Sequence, residues 1–271
     1  MRIEFVKMHG TGNDYIFFDC KDGKIPDGVS DFVKKISKRR FSIGGDGAVF
    51  ICPSNIADAK MVMYNADGSE GKMCGNAIRC VAKYICKSGN VKIETASGIK
   101  EVTIDGAYAT VKMGKANFAV SSVPVRTHRD EFINCDIAVM KTKMKVTSLS
   151  VGNPHAVVFV KNFDKIDVEK AGREIEYNKL FPERTNVEFV KIIDTHTIEM
   201  RVWERGSGIT LSCGSGACAA VAAGVKLGFI KEYATVVLEG GTLYVTCDKD
   251  FNIELTGDAH ETYRGTYETE S

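Results

Sequence analysis

The sequence predicts an α+β fold: two pseudo-symmetric lobes, each a mainly antiparallel β-roll or barrel wrapped around a central apolar helix, with the active site between the lobes. Three observations lead there. The chain repeats itself with a period near 140 residues, each half holds one strongly apolar helical stretch, and the rest reads as short strands without a helix between each pair.

The helical stretches carry the clearest repeat. Tyr64-Asn65-Ala66-Asp67-Gly68-Ser69-Glu70-Gly71-Lys72-Met73-Cys74-Gly75-Asn76 is answered by Trp203-Glu204-Arg205-Gly206-Ser207-Gly208-Ile209-Thr210-Leu211-Ser212-Cys213-Gly214-Ser215. Asn65 stands nine residues before Cys74 and Glu204 nine before Cys213, so the two align without a gap. Past the cysteines, small or apolar residues recur at the same five offsets: Ile78, Val81, Ala82, Ile85 and Cys86, then Ala217, Ala220, Val221, Gly224 and Val225. That spacing is one face of a helix. Gly89 and Gly228, each fifteen residues past its cysteine and each preceded by a lysine at 87 or 226, are expected to stop the two helices.

The strands repeat as well. A run at 3–6 leads through Met8-His9-Gly10-Thr11-Gly12-Asn13-Asp14 to Tyr15-Ile16-Phe17-Phe18, and Leu149-Ser150-Val151-Gly152-Asn153-Pro154-His155 leads to Ala156-Val157-Val158-Phe159-Val160. Asn13 and Asn153 are 140 apart, the two cysteines 139. A fainter echo links Phe41-Ser42-Ile43-Gly44-Gly45-Asp46-Gly47 with Phe181-Pro182-Glu183-Arg184-Thr185-Asn186-Val187. Further strands are expected at 59–63, 91–95, 99–104, 109–113, 188–193, 197–203, 236–238, 243–247 and 253–255, with the chain crossing between lobes around 116–122. The first lobe is then 1–118, with a last strand near 261–271 returning to it, and the second is 119–260.

Composition narrows the function classes. In 271 residues, 44% are hydrophobic, enough for a substantial core, and the net charge of +1 calls for neither nucleic acid nor an anionic membrane. No run approaches a membrane span and the first residues lack a signal core, so a cytoplasmic protein is expected. Nine cysteines, an odd number without a Cys-x-x-Cys, do not form a disulfide framework or a zinc site, and no metal is expected. Gly10-Thr11-Gly12 and Gly71-Lys72 lack the remaining residues of nucleotide loops.

A cysteine at a helix start meets unpaired N–H groups and the positive end of the macrodipole, which favour a thiolate and can also hold a carboxylate. Gly75 and Gly214 would let a ligand come close to those donors. Two lobes related by a pseudo-two-fold axis would set Cys74 opposite Cys213. Two opposed thiols suit one kind of chemistry, in which the ionised one removes a proton from one face of a carbon and the other returns a proton to the opposite face. With a carboxylate pinned at the helix starts, this is inversion of an amino acid without a pyridoxal or other cofactor.

At this point the sequence resembles the diaminopimelate epimerase family over nearly its whole length. The resemblance lies in His9-Gly10-Thr11-Gly12-Asn13-Asp14, Asn65-Ala66-Asp67-Gly68-Ser69-Glu70, Cys74-Gly75-Asn76, Gly152-Asn153-Pro154-His155, Pro182-Glu183-Arg184-Thr185-Asn186, Glu204-Arg205-Gly206 and Cys213-Gly214-Ser215-Gly216-Ala217. It implies interconversion of LL- and meso-2,6-diaminopimelate, in lysine and peptidoglycan precursor synthesis, by a homodimeric enzyme. It implies Cys74 and Cys213 as the base and acid, and Gly75, Asn76, Gly214 and Ser215 as backbone donors to the reacting carboxylate. Asn13, Asn65, Asn153, Asn186, Glu204 and Arg205 are implied to bind the amino groups and far carboxylate, with His155 and Glu204 adjusting the thiols. Some members carry Gln where this chain has Gly47, so Gly47 can contribute only backbone.

Three other readings stay open. A proline- or histidine-type racemase on the same scaffold would leave the Arg205 guanidinium without a far carboxylate. A thiol hydrolase would need His155 as the base for Cys74 and leave Cys213 idle. A silent binding protein would have no use for two intact cysteines.

Overall fold

Apolar residues at every second position build the strands. In Gly98–Asp105 the buried residues are Val102 and Ile104, and in Tyr108–Lys115 they are Ala109, Val111 and Met113, with polar neighbours facing out. The computed structural model describes residues 2–268, so residues 269–271 of the expected last strand lie outside the described residues. The chain divides into two units, one running to Lys112 and resuming at Gly257, the other Met113–Thr256.

The first unit comprises β1 (Arg2–Gly10), β2 (Asn13–Asp19), α1 (Val29–Ile36), β3 (Gly47–Cys52), β4 (Ala59–Asn65), β5 (Glu70–Gly71), α2 (Gly75–Ile85), β6 (Gly89–Thr95), β7 (Gly98–Asp105) and β8 (Tyr108–Lys115). β1 and β2 are antiparallel, β2 and β3 parallel, β3 and β4 antiparallel. β4 pairs antiparallel with β5 and parallel with β6, and β6, β7 and β8 form an antiparallel meander.

The second unit starts with β9 (Cys135–Val139) and repeats that order in β10 (Thr142–Ser150), β11 (Pro154–Val160), α3 (Val168–Glu176), β12 (Asn186–Asp194), β13 (Thr197–Glu204), β14 (Gly208–Thr210), α4 (Gly214–Lys226), β15 (Tyr233–Leu238), β16 (Gly241–Cys247) and β17 (Asn252–Asp258). The pairings are again antiparallel β10–β11, parallel β11–β12, antiparallel β12–β13 and β13–β14, parallel β13–β15, then antiparallel β15–β16 and β16–β17. An outer strand flanks each set. β9 lies antiparallel on β10, and β18 (His260–Glu268) returns to lie antiparallel on β1.

Two helices, α1 and α3, escape the sequence reading, which allots one helix to each half. Each carries the chain back between parallel strands, a crossover that a parallel pair requires. They are short and mostly charged: α1 buries only Val33 and Ile36, and α3 only Ala171, Gly172, Ile175 and Glu176. A signal for α3 does exist, since Asp167 caps it by accepting from Lys170 N at 3.0 Å.

The glycine stop holds in one repeat and fails in the other. Gly228 follows the last turn of α4 with φ +72°, and its N–H donates to Val225 O at 3.0 Å. By contrast α2 ends at Ile85, Cys86 is already extended, and Gly89 is the first residue of β6. Two extra residues of helix fit in the second unit because Phe229 and Ile230 fold back to donate to Gly224 O, where a Cβ would lie 2.4 Å from Ile230.

Helix α4 is the core of its unit. Its alanine-rich sequence favours helix intrinsically, and Gly214 and residues 216–224 are all buried. Because Ala217, Ala220 and Ala223 are fully enclosed, added volume has nowhere to go. Ala220→Leu is expected to destabilise the protein by about 1–3 kcal/mol, read as a lower urea midpoint at unchanged slope. No helix among the described residues is long and apolar enough to cross a membrane.

Candidate active site

Each cysteine is the N-cap of its helix. Cys74 and Cys213 are extended, with φ −131° and −130°, and the first helical hydrogen bonds run from Ile78 N to Cys74 O and from Ala217 N to Cys213 O. The amides of Gly75, Asn76, Gly214 and Ser215 therefore precede the helical ladder and have no acceptor within it.

In the first unit, the β1–β2 hairpin turns on two residues, Thr11 and Gly12, both with positive φ, and so delivers Asn13 to the start of β2. Thr11 tolerates this strained conformation because Asp258 Oδ1 accepts from its N–H at 3.1 Å and Arg79 donates to its hydroxyl at 3.1 Å. Arg79 is wholly buried and also donates to Gly75 O at 3.0 Å and Asp258 O at 3.1 Å, which ties the hairpin to the start of α2. Asn13 then accepts from the Cys74 thiol at 3.3 Å and from Asn76 Nδ2 at 3.4 Å. Its own Nδ2 donates to Asp46 at 2.7 Å, which fixes which way the amide faces. Burial would raise the neighbouring Asp14 carboxyl, but hydrogen bonds from Arg39 and Lys7 hold it below its usual range.

Gly47 and Asn65 face each other across β3 and β4, and Asn65 donates to Ser69 Oγ at 3.0 Å. A Cβ on Gly47 would lie 2.0 Å from Tyr64 O, so this backbone excludes any side chain there. The ladders pair Tyr15 with Gly47 and His155 with Asn186, which makes Asn186 the counterpart of Gly47. The spacing of 140 read from Phe41 and Phe181 is thus 139 at this strand, and one unit carries a side chain where the other cannot.

In the second unit Cys213 is buried, accepting from Gly216 N at 3.3 Å and lying 3.5 Å from Ser215 Oγ. Burial pushes its thiol well above the ordinary range, the Glu204 and Glu188 carboxylates add to this, and the Ser215 and Gly216 hydrogen bonds oppose it. Asn153 donates to Ser215 Oγ at 3.4 Å and accepts from His155 Nε2 at 2.9 Å. Asn186 bridges Pro154 O and Arg205 N, both at 2.9 Å, so it orders the turn that carries Arg205. Glu204 ends β13 and accepts from Thr210 Oγ1. The Arg205 side chain is exposed, with Nη1 donating to Glu183 O at 3.2 Å.

Comparison with known proteins follows the same division. The sequence model of the family described as "Diaminopimelate epimerase" matches residues 5–119 and 147–261, one block for each copy of the repeat. The chain belongs to the diaminopimelate epimerase family. A diaminopimelate epimerase of Acetivibrio thermocellus is 45% identical over 97% of this chain and 98% of its own, and one of Methanococcus maripaludis is 44% identical over 97% and 99%. Among solved structures, a Bacillus anthracis phenazine biosynthesis protein of the PhzF family has a TM-score of 0.72 at 16% identity, covering 99% of this chain and 100% of that one. A hydroxyproline epimerase from Agrobacterium vitis, with bound trans-4-hydroxy-L-proline, has a TM-score of 0.68 at 14% identity, covering 98% and 91%. These two share the fold.

Of the residues singled out from the sequence, the described contacts join Asn13, Cys74 and Asn76 in one unit and Asn153, His155, Ser215 and Cys213 in the other. Sequence reading missed Asp46, Arg79, Asp258 and Glu188. Asp46 stood inside the quoted glycine-rich segment, and Arg79 interrupts the apolar run of α2, a polar residue in a helix that buries every residue from Gly75 to Ala82. Glu188 likewise interrupts the apolar strand β12.

Proposed function

We propose that the protein interconverts LL- and meso-2,6-diaminopimelate, with one thiol removing the α-proton and the other returning a proton to the opposite face. The reading is carried by the matching N-cap positions of Cys74 and Cys213 on α2 and α4, in two units of the same strand order. The reaction needs both half-sites on one α-carbon. The α-carboxylate would accept hydrogen bonds from the amides of Gly75, Asn76, Gly214 and Ser215, at the positive ends of two helices. Charge that develops as the α-proton leaves would meet the same fixed donors, at no cost in reorganisation.

The remaining residues suit the rest of the substrate. Arg205 offers a planar fork for the far carboxylate, Glu204 an anion for an ammonium, and Asn13, Asn65, Asn153 and Asn186 donors and acceptors for either. Gly47 can add only its backbone. Burial and the carboxylates, Glu204 foremost, favour a protonated Cys213, which readies it as the acid, and the resemblance adds His155 to the groups that adjust it. No disulfide joins the nine cysteines, in keeping with reducing conditions, and we place the protein in the cytoplasm as a homodimer supplying lysine and peptidoglycan precursors.

The test is incubation of pure LL-diaminopimelate with the protein in deuterated water, without pyridoxal phosphate. Deuterium is expected at one α-carbon together with appearance of the meso form. A protein that leaves the α-hydrogens of diaminopimelate in place would sink the assignment.

A further inference from the structure

The unit that carries Cys213 has a buried carboxylate where its repeat has an apolar side chain. The ladders pair Phe17 with Val49 and Val157 with Glu188, so Glu188 stands on β12 where β3 has Val49. Its partner His155 likewise stands where β2 has Tyr15. Both Glu188 and His155 are 0% exposed, and Glu188 Oε1 meets His155 Nδ1 at 2.7 Å. Oε2 has no hydrogen-bond partner among the described residues. A carboxylate in such a place opposes folding unless it serves a purpose.

From Glu188 the contacts run unbroken to the sulfur. His155 Nε2 lies 2.9 Å from Asn153 Oδ1, Asn153 Nδ2 donates to Ser215 Oγ at 3.4 Å, and Ser215 Oγ lies 3.5 Å from Cys213 Sγ. One proton lies between Glu188 Oε1 and His155 Nδ1, and because an amide oxygen can only accept, Nε2–H donates to Asn153. Every later donor then points toward Cys213. The Gly216 N–H adds a further donor at 3.3 Å. The other unit has the reverse polarity: Asp46 takes Asn13 Nδ2, and Asn13 Oδ1 is left to accept from the Cys74 thiol.

We infer that Glu188 is a positioning residue for Cys213: by holding His155 Nδ1 it fixes the ring with Nε2 donating to Asn153, which aims the Asn153 and Ser215 donors at the sulfur and keeps the thiolate within reach. This rests on reading Cys213 as one of two acid/base thiols, since a thiol that never ionised would serve the reaction in one direction only. The charged groups acting on the sulfur are Glu204 from β13 and Glu188 from β12; burial and both carboxylates work directly against the thiolate, so whatever Glu188 does in its favour comes through the hydrogen bonds of Ser215 and Gly216, which oppose them. With an amide oxygen at 188 accepting from Nδ1–H, the singly protonated ring presents Nε2 as an acceptor. The Asn153 amide then turns round, and the Ser215 hydroxyl is drawn off the sulfur.

The experiment is alkylation of the substrate-free full chain by iodoacetamide, read by peptide mass spectrometry at both cysteines, so that Cys74 is the control within each molecule. Between about pH 6 and 9, Glu188→Gln is expected to lower the rate at Cys213 relative to Cys74 about tenfold, and Glu188→Asp to recover part of it. Loosened packing would instead expose Cys213 and raise its rate, so the sign separates the two causes. Ser215→Ala breaks the last link without touching the buried pair and is expected to give the same fall. An unchanged or raised ratio in folded Glu188→Gln, or in Ser215→Ala, overturns the inference. No substrate is used, so this outcome and that of the deuterium experiment are independent.

Discussion

Serine in place of either thiol is expected to slow inversion about a thousandfold, within the range that a positioned acid or base contributes. The change is nearly isosteric, yet a serine hydroxyl ionises far less readily than a thiol and cannot act as the base near neutral pH. The two variants should fail differently. In Cys213→Ser, Cys74 can still remove a proton and return a solvent proton to the same face, so one stereoisomer keeps exchanging deuterium without inverting. In Cys74→Ser the other isomer should do so. Measuring deuterium content and stereochemistry together separates exchange from inversion. A single variant that inverted at the parental rate would rule out the two-thiol mechanism.

Arg205→Met is expected to raise KM for diaminopimelate about a hundredfold while kcat changes little, as for loss of a charged hydrogen-bonded pair formed equally in ground and transition states. The design is clean because the Arg205 backbone N–H, which Asn186 accepts at 2.9 Å, survives the substitution and keeps the turn in place. Among the described residues no ion pair engages the guanidinium, which keeps it available for a carboxylate. A lysine there keeps the charge but loses the fork, and should fall between the two. An unchanged KM in Arg205→Met would move the far carboxylate to another group, and would reopen the choice between diaminopimelate and a substrate lacking that carboxylate.

The parts of the site that lie within one short window were legible from the chain. Cys74 and Cys213 as helix starts, and the donors of Gly75, Asn76, Gly214 and Ser215, follow from the spacing of apolar residues along a single helix. Most strands followed from alternation for the same reason. What spans long separations was not legible. The lock on Asn13 needs Asp46, 33 residues away, and the turn before it needs Asp258, 247 residues from Thr11. Helices α1 and α3 were hidden because two to four buried residues in eight or nine leave little periodic signal.

By itself, then, the sequence determined the repeat, the two thiols at helix starts and the family, since each is written in local order and spacing. The tertiary structure decided which way the polar groups face. Asn13 turns its oxygen to Cys74 because Asp46 holds its nitrogen, and Asn153 turns its nitrogen to Ser215 because His155, held in turn by Glu188, holds its oxygen. A hydrogen bond's direction depends on what lies at the other end, and in this protein the other end is brought in by parallel strands that local periodicity cannot pair.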